Sequence, residues 1–302
     1  MTTRALVLGG GGPVGIAWET GIIQGLLDGG VDATEADLIV GTSAGSVVGT
    51  QIASGRSPRD LLEAQTAPAE GTTGGGAGGA AGGAAGGGAG ANVGVLRELF
   101  QKWASATELS EALRAQIGAL ALAARTASEE VWINSFKQAS STSDWPERRL
   151  ILTGVDTASG KFVTWDRDSG VPIELAVAAS CAVPGLFPPV TIDGSRYMDG
   201  GVRSGTSADL ASGHQVVLIV APMGASPAGI GRIMRHHLDA EAETLRAAGS
   251  TVEVVLPDAA SLEAFGPNMM DTTRRKEAAG AGVRQGSAVA RQLRPIWAAT
   301  AG

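Results

Sequence analysis

The chain has 302 residues, 44% of them hydrophobic and 18% charged, with a formal net charge of -7. It is long enough to bury a sizeable core, and its acidic balance speaks against a nucleic-acid surface. The single cysteine, Cys181, excludes an intrachain disulfide and suits a reducing, cytoplasmic setting.

The chain opens on Met1-Thr2-Thr3-Arg4, and only four apolar residues follow before a glycine run, so no secretory core is expected. No apolar run reaches the length of a membrane span. The nearest, residues 171–190, carries Glu174 and prolines at 172, 184, 188 and 189, which a spanning helix would not tolerate well. Any membrane contact is therefore expected to be peripheral.

Ala5-Leu6-Val7-Leu8 is a continuous apolar run of the kind a strand buried on both faces requires. It ends in the loop Gly9-Gly10-Gly11-Gly12-Pro13-Val14-Gly15, and a helix is expected over residues 16–27, stopped by Gly29-Gly30. A glycine loop between strand and helix can present several backbone N–H groups to an anion. The spacing Gly10-x-Gly12-x-x-Gly15 also fits a dinucleotide fingerprint, which needs an acidic residue at the end of the next strand. That strand, residues 38–40, ends instead in Gly41, and Asp32, Glu35 and Asp37 all precede it.

Gly41-Thr42-Ser43-Ala44-Gly45 lies between this strand and a buried helix expected from residue 46 to 53. A G-x-S-x-G in that position is a nucleophile elbow. The serine is held in a strained conformation, and side chains at the two flanking positions would collide with the turn.

A short helix is expected over residues 58–67. Residues 71–91 then contain only twelve glycines, seven alanines and two threonines. Such a segment cannot offset its backbone entropy by burial and is expected to be a flexible linker. Helices expected at 93–103, 107–124 and 128–138 make a cap segment spanning 92–145, with Trp103, Trp132 and Phe136 as candidates to line an acyl channel or pack the cap. Strands at 150–155 and 161–165 form a hairpin around Ala158-Ser159-Gly160. A helix opened by Pro172 runs to about Cys181. The apolar loop Leu186-Phe187-Pro188-Pro189 suggests contact with a lipid interface. Further on come Asp199-Gly200-Gly201, a strand at 215–220, a helix at 236–247, a strand at 252–256 and a C-terminal helix over 271–299.

Glycine loop, serine elbow and downstream Asp-Gly-Gly, in this order and spacing, resemble the patatin-like phospholipases, serine acyl hydrolases acting on lipid esters. The matching pieces are Gly9 to Gly15 with Gly21, Gly41 to Gly45, Ala179-Ser180 through Val183-Pro184 to Phe187-Pro188-Pro189, and Tyr197 to Gly201. The resemblance implies a single three-layer α/β/α domain with a mainly parallel central sheet and a helical cap insertion. It also implies a dyad without histidine: Ser43 as nucleophile, Asp199 as base, and the amides of Gly10, Gly11 and Gly12 as oxyanion hole. Gly15, Gly41, Gly45, Gly200 and Gly201 serve the same motifs. No cofactor and no metal are implied, and the expected partner is a lipid or acyl ester.

Two positions depart from the family pattern. Val14, preceded by Pro13, stands where a basic residue is common, and Arg203-Ser204-Gly205-Thr206-Ser207 replaces the frequent Asn-x-Pro. Two other readings of the site remain open. One is a Ser-His-Asp triad drawing on His214, His236 or His237, with His214 the best placed; the other is an inactive lipid-binding module.

Overall fold

The computed structural model describes residues 2–67, 101, 109–137, 144–225 and 229–297. The glycine-alanine linker at 71–91, the helix at 93–103 and Trp103 lie outside the described residues. Of the cap segment, two helices are described: α4 (Glu111–Ala123) and α5 (Glu129–Lys137).

Five strands run parallel in the order β3 (Arg149–Asp156), β2 (Leu38–Gly41), β1 (Arg4–Leu8), β7 (Val216–Val220), β8 (Thr251–Val255). On the far side of β3 the sheet turns antiparallel, through β6 (Ser195–Asp199) and β5 (Val190–Ile192), while β4 (Phe162–Trp165) also pairs with β3. Strands β1 and β7 are apolar at nearly every position because both of their faces are covered. Leu6 and Leu8 join one core with Leu218 and Val220, whereas Ala5 and Val7 join a second core with Val217 and Ile219. The first core lies under α1 (Gly12–Asp28), α2 (Ala44–Ala53), α6 (Ile173–Ser180) and α9 (Arg275–Trp297). The second lies under α7 (Gly229–Ala247), which contributes Leu238, Ala242 and Leu245. The remaining helices are α3 (Pro58–Thr66) and α8 (Ala259–Phe265). The expected three-layer arrangement around a mainly parallel sheet is thus observed.

Helix α1 begins at Gly12, four residues earlier than expected, because Pro13 suits a first helical turn whose N–H groups have no intrahelical partner. It packs along α9 through small residues on both sides. A Cβ on Gly21 would stand 2.2 Å from the Ala279 carbonyl oxygen, and one on Gly282 would stand 2.3 Å from that of Trp18. The backbones therefore approach more closely than any larger side chain would permit.

Among the buried polar residues of α1, which include Thr20 and Gln24, one is ionisable. Glu19 is fully buried, neither carboxyl oxygen has a hydrogen-bond partner, and burial raises its pKa well above the usual range although the Gly9 N–H nearby favours ionisation. The folded state therefore binds this proton more tightly than the unfolded chain does. Stability falls as pH rises above the ordinary carboxylate pKa. Glu19→Met, similar in size and without the polar group, should stabilise the fold by about 1–3 kcal/mol. An unchanged or lower melting temperature at pH 8 would refute this.

Candidate active site

Ser43 sits between β2 and α2 with φ 53° and ψ -116°, a backbone conformation L residues rarely adopt. The turn closes only with glycine on either side. A Cβ on Gly45 would lie 2.0 Å from the Leu8 carbonyl oxygen, and one on Gly41 would lie 2.7 Å from that of Gly45. Hydrogen bonds from Thr42 N–H to Leu8 O (3.0 Å) and from Gly45 N–H to Gly9 O (2.9 Å) fasten the elbow to the end of β1. The C-terminus of α6 grips Ser43 itself. The Ser180 Oγ accepts the Ser43 N–H at 3.0 Å, and the Cys181 thiol and Ser46 hydroxyl both donate to the Ser43 carbonyl. Burial, with the Asp199 charge adding to it, pushes the Cys181 thiol well up, so it serves as a donor and not as a thiolate.

The sheet brings Asp199 to the same end. Strand β3 lies between the two motifs, with Leu152 paired to Gly41 on one side and Gly154 paired to Asp199 on the other. Thr153, between them, shares a 2.8 Å hydrogen bond with Thr42, and its hydroxyl lies so close to Gly200 that a Cβ there would stand 2.2 Å from it. Gly200 and Gly201 form a 3-10 turn without positive φ. What the motif needs here is this close approach, and not the conformational freedom expected of paired glycines. The Asp199 N–H donates to Ala182 O at 3.0 Å, so residues 180–182 hold both Ser43 and Asp199.

Asp199 is 3% exposed. Its Oδ1 accepts the Gly201 N–H at 2.7 Å, while the buried Oδ2 makes no hydrogen bond. The Ser43 hydroxyl is near enough to favour the ionised carboxylate without meeting it in hydrogen-bond geometry. Burial outweighs that hydroxyl and the Gly201 amide, and the carboxyl is pushed up to about 7.

Above Ser43 stands the glycine loop. A Cβ on Gly10 would lie 3.5 Å from that of Ser43. Within the loop, the Gly10 N–H donates to the Gly205 carbonyl at 2.8 Å. Among the described residues, the N–H groups of Gly11 and Gly12, at the start of α1, and of Ala44, at the start of α2, have no such partner. Two helix N-termini therefore converge on the serine, where they favour negative charge. Gly15 donates to Gly11 O at 2.8 Å and closes the loop. The fully buried Val14 donates its N–H to Met269 O. The Gly12 face is covered too, since a Cβ there would lie 2.8 Å from Met269 O and 2.9 Å from Met270 Sδ. Strand β2 ends in Gly41 and carries no acidic residue of the kind a dinucleotide fingerprint requires there.

A pocket beside Ser43 is lined by Ile16, Val47, Trp132, Phe136, Phe187 and Met270 among others. The histidines stay away from it. His214 lies before β7, at the opposite end of the sheet from the elbow, and shares a 3.0 Å hydrogen bond with Ala211 O. His237 meets Arg203 O, and His236 is exposed on α7. The loop expected to face a lipid interface is instead packed inward, with Phe187 2% exposed and Pro188 and Pro189 buried. Among the described residues no helix is long and apolar enough to cross a membrane, and no three His, Cys, Asp or Glu side chains cluster as a metal site.

A strained serine thus stands at the carboxyl end of the sheet beside a buried aspartate and two helix N-termini. Residues 6–212 match the family Patatin-like phospholipase, and the chain belongs to that family. No curated protein matches the chain. Among solved structures it is similar to VipD from Legionella pneumophila, with 12% identity and a TM-score of 0.42, covering 95% of this chain and 67% of that one. It is likewise similar to the type III effector protein ExoU, with 14% identity and a TM-score of 0.42, covering 96% of this chain and 53% of that one.

Proposed function

We propose that the protein is a serine acyl hydrolase that cleaves carboxylic esters of lipids, in the manner of a phospholipase A or lysophospholipase, through Ser43 and Asp199. In this reading Ser43 Oγ attacks the ester carbonyl carbon while Asp199 Oδ2 takes its proton. The electron pair displaced onto the carbonyl oxygen faces the N–H groups of Gly11, Gly12 and Ala44. Collapse expels the alcohol, which leaves with the proton from Asp199, and the acyl group stays on Ser43. Water then attacks the acyl-enzyme, Asp199 accepting its proton and passing it to Ser43 Oγ as the acyl–oxygen bond breaks and the acid departs. No cofactor enters these steps. Residues 92–145 are read as a cap whose α5 covers the acyl side of the pocket.

The observation that carries this reading is the buried, unpartnered Oδ2 of Asp199 next to a serine in a strained elbow. A carboxyl kept from water with one free oxygen is a base awaiting a proton donor, and the nearby donor that chemistry requires is the Ser43 hydroxyl. A fluorophosphonate probe should label Ser43, as mapped by peptide mass spectrometry, and should label the Asp199→Asn variant far more slowly. Label on a different serine, or none, would overturn the assignment. Binding of an ester without turnover would favour the lipid-binding module.

A further inference from the structure

We infer that Glu241, on α7 and beyond the residues that match the family, is a positioning residue for the glycine loop: it holds the turn at 204–208, whose Gly205 carbonyl fixes Gly10. The inference rests on the ester-hydrolase reading and goes beyond it to what supports the amides facing the carbonyl oxygen. The turn belongs to Arg203-Ser204-Gly205-Thr206-Ser207, the stretch that stands in place of the frequent Asn-x-Pro. Its Ser207 has φ 52° and ψ 41°, a left-handed conformation closed to a proline, whose ring locks φ near about -65°. The Gly205 carbonyl accepts the Gly10 N–H at 2.8 Å, and a Cβ on Gly9 would stand 3.0 Å from the same oxygen. The turn therefore lies directly against the backbone that runs into Gly11 and Gly12.

One carboxyl group gathers this turn. Glu241 Oε2 accepts the Thr206 hydroxyl and the Ala208 N–H, each at 2.8 Å, on either side of the strained Ser207. Its side chain is 11% exposed, and its Oε1 stands 3.6 Å from Arg203. Arg203 is itself fixed, by two hydrogen bonds to the Asp209 carboxylate at 2.6 and 2.7 Å and by the Phe162 ring, whose centroid lies 4.5 Å from the guanidinium. Inside the turn, Ser204 Oγ accepts the N–H groups of Thr206 and Ser207 at 3.2 and 2.9 Å. Burial raises the pKa of Glu241, and Asp209 adds to that, while Ser204, the Ala208 amide and Thr206 favour its charge. Hydrogen bonds to a shielded carboxylate are the strong ones, and here they offset the cost of the left-handed Ser207. Without that acceptor the turn relaxes, Gly205 is released from Gly10, and a run of glycines has no side chain to keep its amides aimed. A neutral ester in the ground state draws little on those amides. The oxyanion formed in both acylation and deacylation depends on them.

The test measures kcat and KM of the full chain on one p-nitrophenyl ester, the rate of labelling by a fluorophosphonate, and the melting temperature. Glu241→Ala should lower kcat and the labelling rate by about ten- to a hundredfold, with KM within about threefold of wild type. Glu241→Gln keeps an acceptor for Thr206 and Ala208 and should restore most of both rates. Should Glu241→Ala fail to fold, Thr206→Val, which deletes one of the two hydrogen bonds to Oε2 at nearly constant shape, should lower kcat and labelling in the same direction. A folded Glu241→Ala variant that melts earlier but keeps wild-type kcat and labelling would show a structural brace only and would overturn the inference. Glu241→Gln as slow as Glu241→Ala would overturn it too, since the acceptor kept there would not be what holds the turn. Both outcomes leave the ester-hydrolase reading standing, whereas a wild type inert toward every ester and toward the probe would overturn that reading and the positioning role with it.

Discussion

Ser43→Ala should lower kcat for ester hydrolysis by at least about 10⁴-fold, with the melting temperature nearly unchanged. The substitution removes a single oxygen from a residue that is 7% exposed, and among the described residues the hydrogen bonds at Ser43 use its backbone. The elbow therefore keeps its geometry and loses only the attacking group. Substantial turnover in the folded variant, measured with product release in initial-rate assays, would move the nucleophile elsewhere.

Asp199→Asn should lower kcat by about 10²- to 10⁴-fold, because an amide cannot accept the serine proton at neutral pH. His214→Ala, His236→Ala and His237→Ala should each retain most activity. A collapse in any of these folded histidine variants would replace the dyad with a triad. The pH dependence follows from burial. The carboxyl is held at about 7, against 3.8 for the unperturbed group, so kcat/KM should rise with pH through a midpoint near 7. The same shift has the opposite sign for stability. From the unperturbed pKa up to about 7 the folded state holds a proton that the unfolded chain has released, so the fold weakens as pH rises through that window. Asp199→Asn should accordingly be more stable than wild type at pH 8. A rate profile flat from pH 5 to 9, or a less stable variant, would contradict the assignment.

The elbow was legible in the sequence because its requirement is steric and local. A serine with positive φ needs small neighbours on both sides, and Gly41 and Gly45 carry that requirement openly. Strands β1 and β7 were equally open, since burial on two faces leaves no polar position in the run. The donors around Ser43 were hidden. Which amide of the glycine loop is engaged depends on Gly205, nearly two hundred residues away, and the Ala44 amide belongs to a residue whose side chain says nothing about it. Ser180 and Cys181 reach Ser43 only through the fold, although their position in the stretch that matched the family was a usable signal. In the loop from Leu186 to Pro189, Leu186 is half-buried and the three residues after it are buried. An apolar run without helix or strand character reads as a surface for lipid, but stacking against Trp132 turns it into core. Glu19 went unremarked because one acidic residue in an amphipathic stretch is ordinarily assigned to the wet side.

The close packing of α1 on α9 bears on where this protein can be cut. The family match ends at residue 212, yet β7, which begins at Val216, is hydrogen-bonded beside β1 in the interior of the sheet. Helix α9 then covers the glycine-bearing side of α1, the same helix whose first turn supplies the Gly11 and Gly12 amides. A fragment trimmed to the matched segment would expose an unpaired edge along β1 and strip the support from behind the glycine loop. For expression and for engineering, β7 and α9 are needed beside the matched segment, because they hold the strand and helix that carry the glycine loop.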